Sequence, residues 1–315
     1  HLLPRASALE ARSLGAFAYG VIQTCMLARS AAAASRVMAR RSSRWLIEAE
    51  ATAAAATDKK APAICTIVLN QPVDLGVVGP LWRRAALRIV ADGGANRLAD
   101  AAAAAAEASG SAVGGAGGRD TGMFGSLPPP HVIKGDLDSV REDVVTECRR
   151  LGTVVIRDPD QDSHDLHKCL AHAEEWQEGH KDGSADGAPP SLHVVVFGAL
   201  GGRLDHEMAN LNSLLTWSSR FGDLVFLTKS CLTRVLPEGK TVLEVAAPFE
   251  GPTCGLVPLG HPAREVTTSG LKWNLDGGAL EFGGLVSSSN EVVADEVEVQ
   301  TTSALVWTAI VKAKA

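Results

Sequence analysis

The sequence predicts an α/β fold: a mostly parallel sheet covered on both faces, followed by a small antiparallel β-sandwich. Apolar, β-branched runs at 64–69, 87–91, 131–133, 153–156, 193–197 and 224–227 alternate with helix-compatible stretches at 96–107, 141–151, 165–177 and 205–217. That alternation is the signature of a parallel sheet with helices on its faces. After Pro237 the helical periodicity stops, and short strand-like runs at 241–245, 254–257, 280–282, 292–299 and 305–311 are separated by Gly, Asn and Pro. Such spacing suits an antiparallel sandwich or barrel. A chain of 315 residues with 46% hydrophobic content has room for about two domains.

Residues 1–60 stand apart. The first 45 positions hold seven arginines and one acid amid many Ala and Ser. Two readings stand: an organellar transit peptide, or a disordered or over-extended tail with Met26 or Met38 as the natural start. The domain plan is therefore an extension at 1–60, the α/β domain at 61–237 and the sandwich at 238–315. Gly-, Pro- and Ser-rich inserts at 108–130 and 178–191 read as surface loops.

Net charge of −6 and a pI near 5.9 leave no basic footprint for nucleic acid. No run approaches 18 uncharged apolar residues, so no membrane span is expected. The six cysteines are scattered without a CxxC pair, which fits a reducing compartment. Small molecules are the expected partners. The cytoplasm is the expected location, with a mitochondrion or plastid as the alternative if 1–60 is a transit peptide.

In an open α/β sheet, ligands collect at the carboxyl ends of the strands. Asp92 follows the run 88–91, and Asp136 with Asp138 follows 132–134, so both acidic motifs fall at that edge. A third stretch is Asp160-Gln161-Asp162-Ser163-His164-Asp165. Carboxylates brought together must bind protons or cations to coexist, and oxygen donors suit Mg²⁺, which usually arrives with a phosphorylated substrate. Phosphoryl chemistry is the resulting expectation. Any one of these motifs also reads as a turn with a helix-capping Asp. Gly93 and Gly94 would let a phosphate or metal approach the backbone, and Ser139 can cap the helix that starts near 141.

Other sites are excluded by spacing. A calcium loop from Asp158 would need Gly and Glu where Ser163 and Cys169 stand, and His164, His167 and His172 match no zinc pattern. Gly239-Lys240-Thr241 lacks the first Walker glycine, whose place Arg234 holds. The loop Gly198-Ala199-Leu200-Gly201-Gly202-Arg203-Leu204-Asp205 instead links a strand to a helix. Its glycines can turn the chain, Asp205 can cap the helix, and the forked donors of Arg203 can meet a phosphate or a local acid. In the second domain the stretch 267–275 gathers hydroxyls, Ser269 among them, with a turn glycine and Trp273. Trp273 reads either as core or as a flat face for a cationic or heteroaromatic ligand. The stretch 284–290 adds a polar rim.

Taken in order, these segments resemble thiamine pyrophosphokinases of the eukaryotic type. The resemblance is carried by Leu69-Asn70-Gln71-Pro72, Ala91-Asp92-Gly93-Gly94-Ala95-Asn96-Arg97-Leu98, Gly135-Asp136-Leu137-Asp138-Ser139, Pro159-Asp160-Gln161-Asp162, Asp165 with Lys168-Cys169-Leu170, and Gly201-Gly202-Arg203-Leu204-Asp205. Gly270-Leu271-Lys272-Trp273-Asn274-Leu275 and the stretch 287–290 extend it, so that it spans about 64 to 312. It implies a Rossmann-like α/β domain joined to a β-sandwich, in a homodimer with active sites between subunits. The implied reaction transfers the diphosphate of ATP to the hydroxyl of thiamine, giving thiamine diphosphate and AMP.

The resemblance also implies roles. Asp136, Asp138 and Asp165 would bind Mg²⁺, with Asp92 close to metal or phosphate. Arg203 and Lys168 would face the phosphates, while Gly93, Gly94, Gln161, Asp162 and Asp205 would approach or orient the nucleotide. Trp273 would stack on the thiazolium cation with Ser269 and Asn290 nearby, and either Asp92 or Asp138 would receive the hydroxyl proton. His164 departs from the small hydroxyl residue usual in the family. Two rival functions are a Mg²⁺-dependent phosphohydrolase and a catalytically silent nucleotide- or thiamine-binding protein.

Overall fold

The computed structural model describes residues 38–51, 62–108, 122–180 and 192–312. Expectations for 1–37, 52–61, 109–121 and 181–191 fall outside these residues. In chain order the elements are β1 (Ala39–Ser42), α1 (Arg44–Ala51), β2 (Ile64–Val68), α2 (Leu75–Arg84), β3 (Leu87–Ala91), α3 (Gly94–Ala108), β4 (Val132–Gly135), α4 (Glu142–Arg150), β5 (Val154–Arg157) and α5 (Asp165–Gly179). Then come β6 (His193–Phe197), α6 (Leu204–Trp217), β7 (Asp223–Leu227), β8 (Cys231–Leu236), β9 (Gly239–Glu244), β10 (Glu250–Val257), β11 (Ala263–Ser269), β12 (Gly278–Leu280), β13 (Ser287–Glu291), β14 (Glu296–Thr301) and β15 (Leu305–Val311).

Six strands in the order β7-β6-β2-β3-β4-β5 pair in parallel, so their carboxyl ends share one edge. Period-two alternation serves both faces of the sheet. On β2, Ile64 and Val68 join the core beneath α1–α4, while Cys65 and Ile67 join the core beneath α5 and α6. Burial on both sides explains the near-continuous apolar runs. The expected α/β domain with a mostly parallel sheet is present.

The sheet does not stop where the helices do. β8, β15, β10 and β13 continue it antiparallel from β7, making ten strands in all. A second sheet, β1-β9-β14-β11-β12, packs on that extension through Leu243, Val266, Val297 and Val299 against Leu256, Leu305 and Trp307. This is the expected sandwich, with one of its layers shared with the α/β half. Of the run read at 292–299 only 296–299 is strand, in β14, because 292–295 crosses from β13 in one sheet to β14 in the other. Helix α2 escaped the pattern reading because Pro80 interrupts it; Asp74 starts it by accepting the Gly76 N–H at 2.9 Å.

Two loop expectations are corrected. Residues 122–130 are not a surface loop throughout: Phe124 is 1% and Leu127 6% exposed, and Trp82 Nε1 donates to the Pro128 carbonyl at 2.8 Å. Nor is the chain before residue 61 only an extension. β1 adds to the edge of β9, and Trp45 and Leu46 are buried in the core. Its arginine-rich composition conceals a polar lock. Asp223 meets Arg234 Nη1 at 3.2 Å and Trp45 Nε1 at 3.3 Å, while Arg234 Nη2 donates to Ser43 Oγ at 2.6 Å, all in the interior.

Removing one partner of a buried ion pair leaves the other charge uncompensated. Arg234→Ala is expected to lower the unfolding free energy by about 3 to 5 kcal/mol, read by urea denaturation followed by circular dichroism.

Candidate active site

Asp92 ends β3 in a left-handed turn, φ +39°, and is buried. Its Oδ2 accepts the Ser139 N–H and its Oδ1 the Val140 N–H, both at 3.1 Å. Those bonds pull the loop after β4 across the edge of the sheet. Asn96, on the first turn of α3, completes the seating: its Oδ1 accepts the Arg141 N–H at 2.9 Å, and its Nδ2 donates to the Ser139 carbonyl at 2.8 Å. Ser139 is consequently not the cap of α4. Its hydroxyl donates to Asp138 Oδ1 at 2.7 Å, and Arg141 is the N-cap residue of α4, with no side-chain capping bond.

This seating brings together Asp92, Asp136 and Asp138, whose carboxylate oxygens can lie within 4.8 Å of one another. The donor set is all oxygen, as a Mg²⁺ site requires. Gly135 makes room for it: a Cβ there would lie 2.8 Å from Asp92 Cβ and 3.3 Å from Asp165 Oδ1. Asp165, the first residue of α5, stands beside the trio. Burial, then the charges of Asp92 and Asp136, push its carboxyl up to about 6. Burial raises Asp92 as well, against the backbone bonds that lower it. The expected trio of Asp136, Asp138 and Asp165 is thus rearranged, with Asp92 in the close group and Asp165 adjacent.

The remaining expected residues divide. Lys168 is 4% exposed and its Nζ donates to the Asp158 carbonyl at 2.8 Å, so it props the loop before α5 from within; its charge still lowers Asp165. Gln161 and Asp162 are exposed on that loop, where the Asp162 N–H goes to Asp160 Oδ1 at 3.0 Å. His164 turns to α6 and lies 3.0 Å from Ser213 Oγ. Gly93 and Gly94 answer to packing, because a Cβ would lie 2.5 Å from the Asn70 amide or the Val68 carbonyl respectively. Among the described residues no His or Cys joins a metal-spaced group.

Arg203 and Asp205 are both exposed and form a two-point ion pair, with Arg203 Nε 3.1 Å from Asp205 Oδ1. Asp205 therefore does not cap α6. Sequence reasoning gave no role to Gln71, which fills the space above Gly198 and Gly202, or to Asn96, which seats the loop after β4. The turn after β2, the Gly198 loop and Lys229 after β7 line a cavity of about 250 Å³, with Leu69, Gln71, Val77 and Phe197 on its wall. This cavity lies at the point where the strand order reverses around β2, the usual ligand crevice of such sheets.

Trp273 is 58% exposed, which excludes the core reading, and Lys272 Nζ lies 4.9 Å from its ring centroid. Its backbone is gripped at both ends by the buried Asn290: Trp273 N–H donates to Asn290 Oδ1 at 3.2 Å, and Asn290 Nδ2 donates to the Trp273 carbonyl at 2.8 Å. Asn290 thus positions the indole. Asn274, to which the sequence assigned no role, orders the same turn by accepting the Leu271 N–H at 3.1 Å. Ser269 is exposed at the end of β11. Asn290 lies on β13 and Asp92 just after β3, seven strand spacings apart in the ten-stranded sheet, or up to roughly 34 Å measured along the sheet at the usual interstrand distance.

A parallel sheet carrying an oxygen-rich acidic group and an adjoining crevice at its carboxyl edge defines an α/β protein suited to phosphorylated ligands. Comparison with known proteins makes this particular. Residues 78–226 match the family model "Thiamin pyrophosphokinase, catalytic domain", and residues 240–306 match "Thiamin pyrophosphokinase, vitamin B1 binding domain". Thiamine pyrophosphokinase 1 of Oryza sativa subsp. japonica is 37% identical over 254 residues, 80% of this chain and 88% of that protein. Thiamine pyrophosphokinase 1 of Arabidopsis thaliana is 37% identical over 78% of this chain and 85% of its own length. The crystal structure of yeast thiamin pyrophosphokinase superposes with a TM-score of 0.69 at 22% identity, covering 89% of this chain and 93% of that one. The chain belongs to the thiamin pyrophosphokinase family.

The raised Asp165 has a definite sign in stability. An ordinary aspartate titrates near 3.9, so between that value and about 6 the folded protein binds more protons than the unfolded chain. Stability from this group is then present at low pH and lost as pH rises through about 6. Asp165→Asn is expected to raise the metal-free melting temperature at pH 7 and to flatten its fall between pH 4 and 7, measured by thermal denaturation in chelator.

Proposed function

We propose that this protein is a thiamine diphosphokinase, transferring the diphosphate of ATP to the hydroxyl of thiamine with release of AMP. The observation that carries the reading is the convergence of Asp92, Asp136 and Asp138 at the carboxyl edge of β3 and β4, beside a residue, Asp165, whose proton affinity records the crowding. Those three acids, with Asp165 adjacent, would hold Mg²⁺, which supplies charge neutralisation on phosphate oxygens. Such transfers depend chiefly on positioning and electrostatics.

The chain's own residues do the positioning. The cavity between the ends of β2, β6 and β7 takes the nucleotide, and Arg203 exchanges its partner Asp205 for phosphate oxygens. Asp92 is poorly placed to take the hydroxyl proton, because both its oxygens already accept backbone N–H groups. Asp138, exposed and bonded to the Ser139 hydroxyl, is the better acceptor of the original two. The open face of Trp273 suits the thiazolium cation, with Ser269 at the neighbouring strand end.

Seven strand spacings, up to roughly 34 Å along the sheet, lie between the strand that holds Trp273 in place and the acids of the same chain, more than one small acceptor spans. A homodimer in which each sandwich faces the partner's acidic edge resolves this, and a two-fold pair makes both sites alike. Exposed apolar residues flank both halves: Leu204 and Met208 beside Arg203, and Phe282, Leu285 and Val293 on the sandwich side. They are the natural contact material.

The direct test is incubation with ATP, Mg²⁺ and thiamine, followed by mass detection of AMP and thiamine diphosphate; ADP or free phosphate as the main product would reject the reading. Asp138→Asn alone is expected to lose most turnover, and Trp273→Ala to weaken thiamine binding while ATP binding is retained. Mixed and reassociated, these two variants should regain roughly a quarter of wild-type activity, since half the dimers then carry one intact site. No recovery in a demonstrated heterodimer would place each site within one chain.

A further inference from the structure

The loop between β6 and α6 is held from two sides by groups to which the sequence assigned no role. From the turn after β2, Gln71 fills the space above it: a Cβ on Gly198, at φ +79°, would lie 3.0 Å from Gln71 Cβ, and one on Gly202 would collide with the Gln71 amide. From α6, Glu207 reaches back, and the N–H groups of Gly201 and Gly202 donate to the same oxygen, Oε1, at 2.9 and 2.7 Å. One turn further on, the buried Asn210 donates Nδ2 to the Ala199 carbonyl at 2.8 Å. Residues three apart share a helix face, so α6 offers the loop an acceptor for its N–H groups and a donor for its carbonyl.

Two consecutive backbone N–H groups that converge on one point form an anion-binding concavity. Here a carboxylate of the same chain fills it, through charge-assisted bonds stronger than neutral ones. Gly201, at φ +98° with open space where a Cβ would be, is needed for this conformation rather than for access. Arg203 follows immediately and is the N-cap residue of α6, with no side-chain bond to cap it. Its place is therefore set by the loop, not by its own capping contacts.

We propose that Glu207 is a positioning residue for nucleotide binding: by occupying the two loop N–H groups it fixes the backbone from which Arg203 reaches the phosphates. This rests on the reading that Arg203 meets the nucleotide. It also reassigns the loop's chemistry, because its amides serve the fold and the guanidinium alone faces the anion. Glu207 touches neither substrate in this scheme and acts only through Arg203.

The test is steady-state kinetics of the full-length chain with ATP varied, for wild type, Arg203→Ala, Glu207→Ala and Glu207→Gln, with melting temperatures recorded. Glu207→Ala is expected to raise the ATP KM by roughly 5- to 30-fold, the scale of one to two lost hydrogen bonds, leaving the thiamine KM unchanged. Glu207→Gln keeps the acceptor oxygen and should return the ATP KM to within about twofold of wild type. If Glu207→Ala melts below the assay temperature, Glu207→Asp replaces it, one methylene too short to reach both N–H groups, with the same direction expected. An unchanged ATP KM in the Ala or Asp variant, while Arg203→Ala raises it, overturns the role of Glu207. So does a Gln variant as impaired as the Ala variant. An Arg203→Ala enzyme with a normal ATP KM instead removes the phosphate reading of the loop, and this proposal with it.

Discussion

The double acceptance by Asp92 of the Ser139 and Val140 N–H groups is the interaction from which the acidic edge is built. It ties the turn after β3 to the loop after β4, and with it the positions of Asp136 and Asp138. The bonds favour an ionised carboxylate where burial opposes one, and burial prevails, raising Asp92. Gly135 must lack a side chain for Asp92 and Asp165 to come so close. A cluster assembled against its own repulsion is one that a divalent ion would relieve.

The ten-stranded sheet imposes the second constraint. Because β8, β15, β10 and β13 continue the parallel strands, the sandwich is joined to the α/β half through hydrogen-bonded backbone rather than by a linker. The polar lock of Asp223, Arg234, Ser43 and Trp45 adds a further tie among β7, β8 and the segment that begins at β1. Such a body holds its acidic edge and its exposed indole far apart.

Much of this was legible in the residues. The alternation of runs placed six parallel strands, and the carboxyl-end rule put Asp92, Asp136 and Asp138 on one edge before any geometry was known. What stayed hidden had identifiable causes. Helix α2 carries Pro80, the arginines of 40–44 look like a leader, and the packing of Phe124 and Leu127 sits inside a Gly-rich insert. Glu207 and Asn210 read as ordinary helix polarity, since nothing in their spacing says that both turn toward one loop.

Residue types and their order determined the α/β-plus-sandwich plan, the acidic chemistry of one sheet edge and the family resemblance, because strand periodicity and motif order are local properties of a chain. Which carboxylates approach, that Lys168 turns inward, that Ser139 serves Asp138 rather than a helix, and that Trp273 stands open were decided only in three dimensions. The reason is that each depends on a hydrogen bond between residues well apart in the chain, Ser139 to Asp92, Lys168 to Asp158 and Asn290 to Trp273, and such pairings have no period for a sequence to display.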